Sequence, residues 1–334
     1  MVRRGCWNAA TSRHVGEKTG DRPRFSFTDR SVNKEIAKPW SVPGLSRLPV
    51  ALRGALWMGG ALLSFSLMAV AVRELLRTMG AFEILFLRSL VSLVLLLFVL
   101  PRFGLAPLRT RHFGLHVVRN LFHFGGQYAW VYAIAMLPLA TVFAIEFTMP
   151  VWTAVLAVMI LGERLNRGRI VMLVLGLVGI LVILKPGFSF IHPAALVMLA
   201  GAFAYATTMI TTKRLVGRDS AFAILFYMAV IQLPLGLVPA LPQWVTPRLA
   251  DLHWVIAVGA AGLFAHYCMT RAFRVADATL VVPIDFLRLP LIAVIGVLFY
   301  NEPIELSIMI GAAIIFAGTW YSIGRESRKA EAPG

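Results

Sequence analysis

Apolar residues in this chain come in nearly continuous blocks, each about 20 residues long, the length a helix needs to cross a hydrocarbon core. Short connectors dense in Gly, Pro and charge separate them, among them PRFGLAPLRTRHF, GERLNRG, KPGFSFIHP and LPQWVTPRLADLH. The pattern predicts ten membrane spans, at 53–72, 82–100, 115–137, 139–161, 168–184, 193–212, 220–241, 253–270, 277–299 and 305–323. Strands of a transmembrane β-barrel would alternate apolar and polar residues, and these blocks do not. The fold class expected is therefore an all-α polytopic membrane protein.

The blocks are also self-similar. IEF at 145–147 and IDF at 284–286 are offset by the same interval as Glu163 and Glu302 and as Gly179 and Gly318, while AFEILF at 81–86 matches AFAILF at 221–226. Two copies of a five-span unit follow, and an odd span number inserts the second copy upside down. That is the inverted repeat of many secondary transporters, in which substrate is held between the halves near mid-membrane. The expected organisation is a polar, disordered cytoplasmic tail at 1–52, a first five-helix repeat at 53–187, a second at 188–323 and a cytoplasmic C-terminal tail at 324–334.

Composition sharpens this. Of 334 residues, 59% are hydrophobic and only 14% charged, too few charges to cover a soluble protein of this length. The net charge of +16 is a topology signal rather than a nucleic-acid footprint. With the N-terminus inside, one side collects nearly all Lys and Arg, and the other holds only Arg73, Arg77, Lys185 and Arg248. Both ends are then cytoplasmic and the membrane is the cytoplasmic (inner) membrane. The first 50 residues lack the apolar core of a signal peptide. Two cysteines, Cys6 and Cys268, support neither a disulfide framework nor a metal site. No cofactor, metal or nucleic-acid partner is expected; the partners are a small-molecule substrate and membrane lipids, with the chain a monomer or homodimer.

Ten spans in two halves, with Pro150, Gly162 and Glu163 followed by GLVGILVILKPG at 176–187, and with Pro290, Glu302 and GAAIIFAG at 311–318, resemble the EamA-type branch of the drug/metabolite transporter superfamily. The second half departs from that pattern, with Asn301 in place of Gly162 and Pro303 after the glutamate. The resemblance covers about 53–323. It implies a secondary transporter of small metabolites such as amino acids, nucleotide-linked compounds or vitamins, and makes Glu163 and Glu302 a signature of the fold.

Charges at bilayer depth cost roughly 2.5–3.5 kcal/mol each on insertion scales and face a cavity or a partner. Counting about 1.5 Å per helical residue puts Glu146 roughly 10 Å below the outer boundary, level with Arg88 and in reach of Gln127 and Tyr128. Asp285 mirrors it from the inner side with His266, and Arg288, one turn beyond, bridges the two layers. These residues, with His123, are the expected substrate- and ion-binding cavity; a carboxylate there attracts a cation or exchanges a proton, and an arginine holds a carboxylate or phosphate. Glu146 with Arg88, and Asp285 with Arg288 or His266, are equally readable as neutralising pairs that fix packing. Pro150 and Pro290, just after the two acids, are expected helix breaks that free a carbonyl beside each. Arg119 is expected to snorkel to headgroups, Glu83 to be solvated, and Glu163 and Glu302 to be structural or interfacial. Phe122, Phe124, Trp130, Phe147 and Trp152 either stack on a planar substrate or pack.

The expected activity is alternating-access transport of a small polar metabolite, coupled to protons or exchange. The alternatives are a channel-like permease and an intramembrane enzyme. The sequence has no G-x-x-x-x-G-K-[ST] loop for ATP, and no H-E-x-x-H or G-x-S-x-G for hydrolysis.

Overall fold

The computed structural model describes residues 48–161, 167–185, 192–216, 218–276, 281 and 284–331. The expectations for the N-terminal tail and for Glu163 lie outside them. The described chain is helical, with no strand among these residues. Its long helices are α1 (Val50–Leu75), α2 (Ala81–Phe103), α3 (Phe113–Met136), α4 (Leu139–Glu146), α5 (Met149–Leu161), α6 (Arg167–Leu184), α7 (Pro193–Val216), α8 (Ala221–Ala240), α9 (Leu252–Val275), α10 (Arg288–Tyr300) and α11 (Leu306–Glu331).

Among the described residues, eight stretches are long and apolar enough to cross a membrane, with α4 and α5 counted as one. The other two crossings are α3, whose apolar character is diluted by His116, Arg119, Asn120, His123 and Gln127, and the one that contains α10, whose 13 residues start after a turn at Leu287. Ten crossings in all return the chain to the end of the bundle where α1 begins, called here the near end. Helix ends follow local chemistry. Ser220 caps α8 by accepting a hydrogen bond from the Ala223 amide at 3.0 Å. Asn301, in the left-handed region at φ 51°, ends α10.

The helix pairing carries the duplication into three dimensions. α1 packs along α9 and α3 along α7, the same pairing with the repeats exchanged, while α2 meets α8 and α6 meets α11. The crossings are antiparallel. A Cβ on Gly179 of α6 would lie 2.7 Å from the Gly311 carbonyl oxygen of α11, and one on Gly311 would lie 2.7 Å from the Gly179 oxygen. Seven residues earlier on α6, Met172 faces Gly318, seven later on α11. Gly126 and Gly201 play the same part between α3 and α7, where a Cβ at Gly126 would sit 2.9 Å from the Tyr205 ring. Small residues let membrane helices approach this closely.

At the near end, Asp219 ties the α7–α8 connector to the start of α3. The Thr110 hydroxyl donates to its Oδ2 at 2.6 Å, and His116 Nε2 lies 2.7 Å from the same oxygen. Ser220 donates to the Pro107 carbonyl and Tyr227 to that of Leu108, both at 2.9 Å. Burial pushes the Asp219 carboxyl upward, but the Thr110 and His116 hydrogen bonds and the two nearby imidazoles outweigh it and hold it below the usual carboxylate range. A lowered folded-state pKa contributes stability that is present above the unfolded value of about 3.9 and lost as pH falls through the folded value. Asp219→Asn is therefore expected to cost about 1–3 kcal/mol at neutral pH, with the gap to wild type closing only below about pH 4, read by thermal unfolding in detergent.

Candidate functional site

Both acids of the repeated motif stand where a helix stops. α4 ends at Glu146, residues 147–148 form a turn, and Pro150 is the second residue of α5. In the second repeat, 284–286 are helical, Leu287 turns, and Pro290 is the third residue of α10. A proline has no N–H to give the carbonyl four residues back, so each helix restarts from a new acceptor. Val151 bonds the Thr148 oxygen at 2.9 Å and Leu291 that of Leu287 at 3.2 Å. These bonds restart each helix just past its break. Ile145, Thr148, Ile180, Ile183, Leu184 and Leu199 converge beside the first break.

The breaks bring the acids together on one guanidinium. Arg288 Nη2 lies 3.4 Å from Glu146 Oε1 and 3.4 Å from Asp285 Oδ2. Arg288 is the first residue of α10, so the positive end of that helix's dipole sits beside the carboxylates, while the negative end of α4 sits beside the guanidinium. Three rings fix the fork: its carbon is 4.8 Å from the Phe65 centroid and 5.1 Å from those of Phe143 and Phe147. Phe147 and Phe286, equivalent residues of the two repeats, stack at 4.3 Å. Deep as this cluster is, the Glu146 and Asp285 side chains keep 18% and 22% of their surface exposed. Two carboxylates on one cation leave one negative charge uncompensated unless one of the acids holds a proton.

A neutral network lines the neighbouring helices. Gln232 of α8 donates to Asn120 Oδ1 at 3.1 Å and lies 2.8 Å from His123 Nδ1, which Gln127 also approaches at 3.1 Å. With the closer amide, Gln232, donating to the single lone pair of Nδ1, the His123 proton is assigned to Nε2. The His266 ring is 6.0 Å from that of His123 and edge-on to Phe65 at 5.5 Å. Tyr205 of α7 has Glu146, Arg88 and Arg288 as its charged neighbours. Tyr128 stacks on Phe82 at 4.5 Å and continues to Tyr132 at 6.4 Å, making an aromatic wall with Phe124.

Several expectations change. Glu146 meets Arg288, not Arg88, and His266 keeps company with His123 rather than Asp285. Arg119 does not snorkel: it is only 6% exposed and donates to Thr212 Oγ1 at 2.8 Å and Asn120 Oδ1 at 3.0 Å. Glu83 is not solvated; at 2% exposure it accepts one long bond, from the Val245 amide at 3.3 Å. Trp152 packs edge-on to Phe203, and Phe122 lies exposed on the bundle's outer face. Gln232, Tyr205 and Phe65 were not picked out from the sequence. A lone amide in the apolar run of α8 was the available signal for Gln232, and the repeat offset pairs Phe65 with Tyr205.

A second ionic cluster closes the far end. Glu302 pairs with Arg73 of α1 and accepts from the Leu139 amide at 2.7 Å, capping α4. Arg73 also donates to the Ile134 and Leu137 carbonyls. One carboxylate thus joins α10 to α1 and to the start of the helix that ends in Glu146.

Helices crossing in two oppositely inserted sets, with broken spans meeting at mid-bundle charges, define a membrane transporter of the inverted-repeat class. The chain belongs to the EamA-like transporter family, whose profile matches it twice, at 52–185 and 192–324. It is 31% identical over 281 residues to the S-adenosylmethionine uptake transporter of Rickettsia prowazekii (strain Madrid E), covering 84% of this chain and 96% of that protein. It is 28% identical over 284 residues to the riboflavin transporter of Vibrio cholerae serotype O1, covering 83% and 95%. It is 29% identical over 259 residues to the pseudopaline exporter CntI of Pseudomonas aeruginosa, covering 76% and 90%. A crystal structure of an 18% identical protein superposes with a TM-score of 0.59 over 84% of this chain and 99% of that one, which shows a shared fold.

Proposed function

We propose that this protein is a secondary carrier that moves a small polar metabolite through the cytoplasmic membrane by alternating access, with substrate held between the repeats at Glu146, Asp285 and Arg288. The observation that carries this is the sharing of one caged guanidinium by two repeat-related carboxylates at two helix breaks. A carboxylate left over by that sharing suits proton coupling or exchange with a cationic cargo. Arg88, His123, Gln127, Tyr128 and His266 complete the lining, and Pro150 and Pro290 set the breaks. The repeats, 53–187 and 188–323, rock about this site, and the near end, where Lys and Arg gather, faces the cytoplasm. S-adenosylmethionine is the first cargo to test, because relatives named for it align over most of both chains.

The test is uptake of radiolabelled S-adenosylmethionine into proteoliposomes. Wild type should show saturable uptake and counterflow; a non-saturating flux would favour a channel. Glu146→Gln and Asp285→Asn should each reduce uptake to background while the purified protein stays monodisperse. Undiminished uptake in both variants would discard the site.

A further inference from the structure

We infer that Arg88 is the seat of an anionic group on the cargo, specifically a carboxylate, so that the transported molecule is a zwitterion spanning from Arg88 to the Glu146–Asp285 pair. This rests on the proposed function, and it assigns Arg88 a task that Arg288 cannot perform.

Arg88, on α2, is only 6% exposed. Its Nε is buried without a hydrogen-bond partner, and no carboxylate lies within ion-pair distance of it among the described residues. The other two buried arginines within spans are engaged: Arg288 by two acids and three rings, Arg119 by Thr212 and Asn120. The titratable groups that interact electrostatically with Arg88 are Tyr205, His123 and His266, with no acid among them. Room for the guanidinium is made by Gly262 of α9, where a Cβ would lie 3.0 Å from Nε and 3.3 Å from Nη2. A buried unpaired cation is costly, and a bound anion would remove that cost and be held by it.

Charge placement sets the chemical class. The Arg288 cluster has one carboxylate too many and favours a cation; Arg88 has no anion. Tyr205 neighbours both centres. A phosphate would also suit a lone arginine, but its double charge would face the surplus carboxylate. A single carboxylate paired with an ammonium or sulfonium satisfies both ends. Neither Arg88 nor Arg288 has a repeat counterpart, since Met228 and Met149 stand at the equivalent positions. The two cations are single-copy additions to a two-fold frame, and they make its ends unlike.

Two measurements on the purified full-length protein test this. In the first, no ligand is present and Arg88→Met is compared with wild type by thermal unfolding. Removing an unpaired buried charge should raise the melting temperature by roughly 2–4 °C. A lower melting temperature would mean that Arg88 holds the fold together, and would overturn the inference. In the second, binding of S-adenosylmethionine is compared with that of its decarboxylated form, which keeps the sulfonium and the amine. Wild type should bind the decarboxylated form roughly 10–100-fold more weakly, and Arg88→Met should bind both at that weaker level. An unchanged preference in Arg88→Met overturns the seat. A raised melting temperature with neither compound bound by wild type supports the unpaired charge and instead rejects S-adenosylmethionine as cargo.

Discussion

Arg288→Met is expected to abolish transport and to destabilise the protein by about 3–5 kcal/mol, because it strands two carboxylates that now share one buried cation. Methionine matches the stem but offers neither charge nor donors, and the three rings around the fork lose their cationic partner. Without Arg288, one acid must take up a proton. The double variant Arg288→Met/Glu146→Gln removes that conflict and should regain part of the lost stability without regaining uptake. Thermal unfolding of the four proteins forms a double-mutant cycle, and proteoliposome uptake supplies the second readout. Near-normal uptake by Arg288→Met would rule out the guanidinium as the centre of the site.

Glu302→Ala is expected to have the next largest effect, again a loss of about 3–5 kcal/mol. It leaves Arg73 without its acid, although the Ile134 and Leu137 carbonyls remain, and it uncaps the Leu139 amide. The exchanged pair Arg73→Glu/Glu302→Arg restores opposite charges. It cannot restore an acceptor for Leu139, because arginine has none. Partial recovery in thermal unfolding is the expected outcome. Full recovery would show that the ion pair alone matters, and no recovery that the cap does.

The span pattern and the repeat were legible because both rest on one-dimensional signals: apolar run length and a fixed offset. Ten crossings, the duplicated acids and their prolines could all be read in this way. Pairings could not. Counting residues along a helix gives height in the membrane but not direction around the axis, so Glu146 and Arg88 were level on paper while Glu146 turned to Arg288. The helix breaks before Pro150 and Pro290 swing both acids towards α10, a rotation that a straight-helix count cannot contain. Arg119 shows the same limit: its depth permitted a headgroup contact, but Thr212 on α7 was nearer. Gln232 was missed because a single amide in an apolar run carries no periodicity, and its partners are on α3.

The glycine crossing of α6 and α11 has a mechanical meaning. Gly179 and Gly311 let the two backbones approach closely, with Ile183 and Ile315 packed over the glycines, so in the proposed rocking of the repeats this crossing is the natural pivot. Displacement is least at such an axle and grows with distance from it. The Asp219 and Glu302 ties, at opposite extremities of the bundle, are the places where a small tilt would be felt as a broken bond.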